Sequence, residues 1–310
     1  MLKQRIVFGS LMSAAVLAVF VVDCWFDPHY PIFAVVAALV AAATSRELAG
    51  LLAAFPFPVR PWFCIAGGLL IPMSVFLAPI APAEFLPFLG GPNPNLRPPA
   101  ATFVGLCMAA FLIEALGYRQ AGKALPAIAA HATVFFYVGL LGSFVVLLRW
   151  FDFGHSRATG AYLLASFVFT AKFADIGAFF VGRRFGAAKL APQLSPNKTI
   201  EGSAGGVAAS ILFALLANAV GRWTGAIPEI PWYAVLLFGL VISASAQVGD
   251  LMESLIKRDC QQKDASHSIP GFGGVLDVVD SVFFAAPVAY ALFSVWNTLS
   301  AAAAAAAEVQ

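Results

Sequence analysis

Ala34-Val-Val-Ala-Ala-Leu-Val-Ala-Ala-Ala43 is apolar at every position. A membrane β-strand alternates lipid-facing and lumen-facing residues over roughly ten positions, so this run favours a helix over a closed barrel. Followed outward, the apolar character spans 31–54, enough for the roughly 20 residues that cross a ~30 Å hydrocarbon layer. Similar stretches, bounded by charges or by Pro and Gly, recur at 6–22, 61–80, 100–117, 125–148, 159–181, 203–220, 232–252 and 279–298. The pattern predicts an all-α, polytopic integral membrane protein with about nine transmembrane helices. Composition points the same way: the 310 residues are 61% apolar and 11% charged, whereas soluble domains carry about 25% charged residues.

Net charge is +2, from 18 Lys and Arg against 16 Asp and Glu, which gives no reason to expect a nucleic-acid partner. The distribution is more informative. With Lys3 and Arg5 inside and the spans alternating, one side collects Arg46, Arg60, Arg119, Lys123, Arg183, Arg184, Lys189, Lys198, Lys257, Arg258 and Lys263. Arg97, Arg149, Arg157 and Arg222 fall on the other side, and Lys172 lies within a span. The positive-inside rule makes the richer side cytoplasmic. The opening apolar run Ile6 to Val22 reads as a retained first span, because further long runs follow it. Cys24, Cys64, Cys107 and Cys260 stand in no metal-binding or disulfide-framework spacing.

Residues 1–157 read as scaffold helices, with a stiff Pro-rich outer connection from Pro79 to Pro99. Residues 158–299 read as the working half, and 300–310 as a low-complexity tail. No internal repeat is evident, which argues against an inverted-repeat transporter. The working half carries three polar clusters. Lys172 and Asp175 share a helical face at i and i+3, and charges inside a span are costly enough that they are paired or functional. Next, Gly182-Arg-Arg-Phe-Gly186-Ala-Ala-Lys189 leads to Leu194-Ser-Pro-Asn-Lys198-Thr-Ile-Glu201-Gly202. There Ser195-Pro196 favours a turn or cap, Thr199 to Gly202 can begin a helix, and Lys198 stands beside its amides.

The third cluster is the richest. Asp250, Glu253 and Lys257 fall at i, i+3 and i+7, so one helical face presents two acids and a base. After Ile269-Pro-Gly-Phe-Gly-Gly274, Asp277 and Asp280 repeat the i, i+3 spacing. Two carboxylate pairs across a Gly-rich turn suit a hard cation such as Mg²⁺, which takes oxygen ligands and leaves positions open for substrate phosphates.

The stretch Ser254-x-x-Lys257-Arg258, Lys263-Asp264, Ile269-Pro270-Gly271-x-Gly273-Gly274-x-x-Asp277-x-x-Asp280-Ser281 closely resembles the signature of phosphatidate cytidylyltransferases, also called CDP-diacylglycerol synthases. Upstream, Asp175, Gly182-Arg183, Gly186 and Leu194-Ser195-Pro196-x-Lys198-Thr199-x-Glu201-Gly202 also resemble that family. The resemblance covers about residues 172 to 290. It implies a helical membrane enzyme that makes CDP-diacylglycerol and pyrophosphate from CTP and phosphatidate, with Mg²⁺ and K⁺ as cations and membrane lipid around it; it leaves a homodimer open.

Carried over by position, Asp250 and Asp277 would be the principal metal-binding acids. Lys198, Arg183, Lys257, Arg258 and Lys263 would handle phosphates, and Asp264 and Asp280 would support the site. Lys172, Asp175, Ser195, Thr199, Glu201, Gly202, Glu253, Ser254, Gly273 and Gly274 would line it. Phe272 and Val278 depart from the family's usual His and Arg, whose roles are then absent or fall to His267 or Arg258. His131, inside a span, reads as a packing residue. The expected site lies at the inner leaflet of a bacterial cytoplasmic membrane, between spans six, eight and nine. A CTP-dependent lipid kinase and a related prenyl-lipid cytidylyltransferase are competing enzyme readings, and a cation-coupled transporter is one from another class.

Overall fold

A computed structural model describes residues 2–26, 29–82, 84, 95–153, 159–271 and 273–308. Phe272, His155, Arg157, most of the Pro79–Pro99 connection and the side chains of Lys3 and Arg5 lie outside the described residues.

The described chain is almost entirely helical. α1 is Leu2–Asp23, α2 Pro31–Leu52, α3 Pro61–Met73, α4 Leu77–Ile80 and α5 Arg97–Leu116. α6, Ala124–Val134, runs through a π-helical turn, Phe135–Leu140, into α7, Leu141–Arg149. α8, Thr159–Phe185, precedes a small hairpin of β1, Lys189–Ala191, and β2, Ser195–Thr199; α9, Ile200–Trp223, α10, Trp232–Asp259, and α11, Leu276–Glu308, complete the chain.

Among the described residues eight helices are long and apolar enough to cross a membrane. This is a multi-pass membrane protein. The third expected crossing, 61–80, is a shorter apolar helix, Pro61–Phe76. Pro72 lies inside α3, and a 3-10 turn, Ser74–Phe76, follows it; proline removes an amide donor and crowds the preceding turn. The hairpin corrects the expected turn at Ser195-Pro196. Ser195 begins β2, and the reversal is made by Pro192–Leu194. Proline is tolerated there because a two-stranded ribbon consists only of edges.

Two packing regions hold the bundle together, the second of them at the working end. Phe20, Phe33, Val146, Leu163, Phe167, Ile242 and Ala286 join the first two helices to the C-terminal helices. Leu48, Ala49, Cys64, Val138, Leu141, Cys260, Leu276 and Phe283 join α2, α3 and the π-helical segment to the end of α10 and the start of α11. α8 and α9 meet along a stripe where Gly202 and Gly206 face the backbone carbonyls of Ala178 and Ala174; a Cβ there would come within 2.9 and 2.6 Å of those oxygens. Small residues thus let the two helices that carry the first two polar clusters run in close contact.

Candidate active site

The C-terminal ends of α8 and α10 and the N-terminal ends of α9 and α11 meet on one side of the bundle, and all three polar clusters lie there. Thr199 makes the entry to α9: its Oγ1 accepts from the Gly202 amide at 3.1 Å, an N-cap worth about 1 kcal/mol. Glu201 turns back to accept from the amides of Ala187 and Ala188 at 3.0 and 3.2 Å. These two side chains hold the hairpin against the helix, so their first role is to present Lys198. That lysine's Nζ lies 2.5 Å from Asp250 Oδ2, which joins the second cluster to the third.

Lys172 reaches in from α8. Its Nζ is 3.3 Å from Asp175 Oδ2 and donates to Ser281 Oγ at 2.7 Å. Lys257, on α10, sits between two acids, 2.5 Å from Glu253 Oε2 and 2.6 Å from Asp277 Oδ1. Arg258 is exposed and donates to the carbonyls of Leu194, at 3.4 Å, and Gln262, at 3.1 Å. Ser195 is partly buried and Ser254 buried, while Arg183, Lys263 and Asp264 are exposed. His267 is exposed on the same loop, and Val278 follows Asp277 in the first turn of α11. His131 is buried, accepts from the Arg60 amide at 3.2 Å through Nε2 and packs on Phe63.

The acids that converge are Asp250, Glu253 and Asp280, each with a carboxylate oxygen within 4.8 Å of the others. Two full charges at that spacing repel by about 3.5 kcal/mol at an effective dielectric of 20, so the group needs compensating positive charge. Lys198 and Lys257 supply part of it. Glu253 is 1% exposed in its side chain, and its Oε1 is buried without a hydrogen-bond partner. A buried carboxylate oxygen is costly to leave unmatched, and a hard cation is the partner that oxygen donors of this kind suit. The donor set therefore fits Mg²⁺.

Asp277, expected beside Asp250 as a principal ligand, is held differently. Oδ1 meets Lys257, and Oδ2 accepts from the amides of Ala265 and Gly274 at 3.0 and 2.7 Å. It closes the loop 265–274 onto α11 and touches the acid group through Lys257. Gly273 makes this possible: its φ is +98°, and a Cβ there would lie 2.6 Å from Asp277 Oδ2.

Sequence reading missed two residues. Tyr137, in the π-helical turn, is buried with an unpartnered hydroxyl. Glu47, on α2, accepts four hydrogen bonds from the Ser266–Leu276 segment. Neither stands near a motif; the only signal was an acid inside an apolar helix, which is a functional candidate by default.

A family model described as "Cytidylyltransferase family" matches residues 3–296. The chain is also similar to phosphatidate cytidylyltransferases from three bacteria. With that of Bacillus subtilis it is 42% identical over 123 residues, which is 40% of this chain and 44% of that protein. With that of Brucella abortus it is 36% identical over 205 residues, covering 64% and 68%. With that of Thermotoga maritima it is 30% identical over 177 residues, covering 57% and 63%. Since the family match extends over both the N-terminal helices and the polar clusters, the chain belongs to the cytidylyltransferase family.

Proposed function

We propose that this enzyme transfers the cytidylyl group of CTP to phosphatidate, giving CDP-diacylglycerol and pyrophosphate. The observation that carries the reading is the convergence of Asp250, Glu253 and Asp280, with one buried oxygen unmatched, at the end of a membrane helix bundle of this family. The names of its relatives supply the substrates.

A phosphatidate oxygen attacks the α-phosphorus of CTP, and the bond from that phosphorus to the oxygen bridging the β-phosphorus breaks. The leaving pyrophosphate takes the electron pair. The attacking phosphate is already anionic, so no strong general base is required; the obstacle is bringing two anions together. Lys198 and Lys257 meet this need by holding positive charge beside the acids, and Lys172 extends it to α8. Lys263, exposed on the loop, would stabilise charge on the departing pyrophosphate. Mg²⁺ held by Asp250, Glu253 and Asp280 would neutralise triphosphate oxygens, and K⁺ would serve as the second cation. Asp277 keeps Lys257 and the loop in place for this arrangement.

The same end of the bundle carries Arg183, Arg184, Lys189, Lys257, Arg258 and Lys263, and Lys and Arg counting supports a cytoplasmic position for it, on the side where CTP is dissolved. Phosphatidate then enters sideways from the inner leaflet of the bacterial cytoplasmic membrane, its acyl chains remaining in hydrocarbon.

The test is an assay on detergent-purified protein with CTP, phosphatidate and Mg²⁺, with and without K⁺ and with EDTA. CTP labelled in the cytidine should appear in lipid with stoichiometric release of pyrophosphate, and EDTA should stop the reaction until Mg²⁺ is restored. Transfer of label from the γ-phosphate instead identifies a kinase.

A further inference from the structure

We infer that Glu47, from the N-terminal half, is a positioning residue for the reaction: it holds the 266–276 segment that carries the Gly pair and leads into Asp277. Its Oε1 accepts from Ser266 Oγ at 2.6 Å, from Ser268 Oγ at 3.1 Å and from the Val275 amide at 3.1 Å. Its Oε2 accepts from the Leu276 amide at 2.8 Å. Leu276 is the first residue of α11. Glu47 therefore caps the helix that presents Asp277 and Asp280, using a side chain more than 200 residues away in sequence. A negative charge at a helix N-terminus satisfies amides that have no partner within the helix and complements the helix dipole.

The fit is close. Glu47 is buried, and a Cβ at Gly274 would lie 2.5 Å from its Oε2. The Ser268 amide donates to Ser266 Oγ at 3.1 Å, and the two hydroxyl oxygens lie 2.8 Å apart, so both serines and the carboxylate make one network. Asp277 grips the same loop from the other side through Ala265 and Gly274. Two carboxylates thus clamp one loop, and only one of them belongs to the C-terminal half. Leu48 and Ala49, next to Glu47, lie in the packed region that includes Leu276, so the carboxylate arrives on a rigid support.

The activity arm of the test rests on the proposed cytidylyl transfer, while a second arm does not. Glu47→Ala and Glu47→Gln are purified in detergent, and backbone hydrogen exchange of 265–276 is compared with that of the rest of the chain. In E47A, exchange should accelerate in that segment while the helices keep wild-type protection. The kcat for cytidylyl transfer should fall on the order of 100-fold, as expected when a group remote from the chemistry lets reacting groups shift by about 1 Å, with a much smaller change in the KM for CTP. E47Q, which keeps one acceptor oxygen, should recover part of both effects.

Should E47A fail to yield folded protein, Ser266→Ala combined with Ser268→Ala keeps the carboxylate and removes two of its donors; it should loosen the segment and lower kcat, and add little to E47Q. Unchanged exchange, or faster exchange with wild-type kcat, overturns the inference. A wild-type protein inactive in cytidylyl transfer refutes the proposed function instead, and the exchange result still decides whether Glu47 orders the loop.

Discussion

Replacing Lys257 with Met removes the ammonium while keeping most of the aliphatic stem. In the folded protein that ammonium lies 2.5 Å from Glu253 and 2.6 Å from Asp277, and the side-chain exposures of Lys257, Glu253 and Asp277 are 11%, 1% and 9%. Solvent screening is therefore slight, and removing one partner of such a group costs about 3–5 kcal/mol. The cost is not shared equally. Asp277 keeps the amides of Ala265 and Gly274, whereas Glu253 is left with an Oε1 that already has no partner. At roughly 2 °C per kcal/mol for a chain of this size, the melting temperature should drop by roughly 6–10 °C. Adding Glu253→Gln removes the stranded charge and should restore more than half of the loss. Thermal unfolding of the wild type, both single variants and the double variant in detergent, followed by tryptophan fluorescence, measures this. A K257M protein that melts within about 1 °C of wild type, or a double variant no more stable than K257M, refutes the reasoning.

Asp250→Asn and Asp277→Asn should each abolish turnover while leaving the protein monodisperse in detergent, and wild-type-like activity in either purified variant defeats the role given to that acid. Gly273→Ala should destabilise the loop by about 1–3 kcal/mol, because φ is positive there and the new methyl group meets Asp277; a proteolysis rate at Lys263 equal to that of wild type counts against it. Thr199→Ala should lose about 1 kcal/mol through the α9 cap, and Thr199→Ser should lose little; equal melting temperatures for the two variants speak against the cap.

Much of the architecture was legible because hydrocarbon thickness fixes helix length. The run around Ala34–Ala43 marks α2 without ambiguity, and the expected span 279–298 falls inside the membrane part of α11, 276–300. The third crossing is shorter than expected because hydropathy does not register the backbone cost of Pro72. The hairpin was hidden for a different reason: β1 and β2 are short, polar and contain Pro196, so they offer no alternating pattern. Within the site, helical spacing alone places Asp250 with Glu253. The contribution of Asp280 to that pair, and the separate bonding of Asp277, depend on how α10 and α11 are placed side by side, which no local spacing encodes. Glu47 showed only as an acid inside an apolar helix, and its partners were hidden for the same reason, since its four donors lie far along the chain.

The π-helical turn at Phe135–Leu140 acts as a register device. Each α-helical residue advances the azimuth by about 100°, so the widened turn resets which side chains face inward on either flank. Ala127, Ala130, His131 and Val134 are buried before it, and Ser143, Val146 and Leu147 after it. Wound as regular α-helix with the same number of residues, this segment would swing one flank by about a quarter turn relative to the other. Phe135 would then leave its seat against Phe63, or Tyr137 would lose its buried position. The bulge lets a single membrane crossing serve two neighbours whose faces an ideal helix cannot match together.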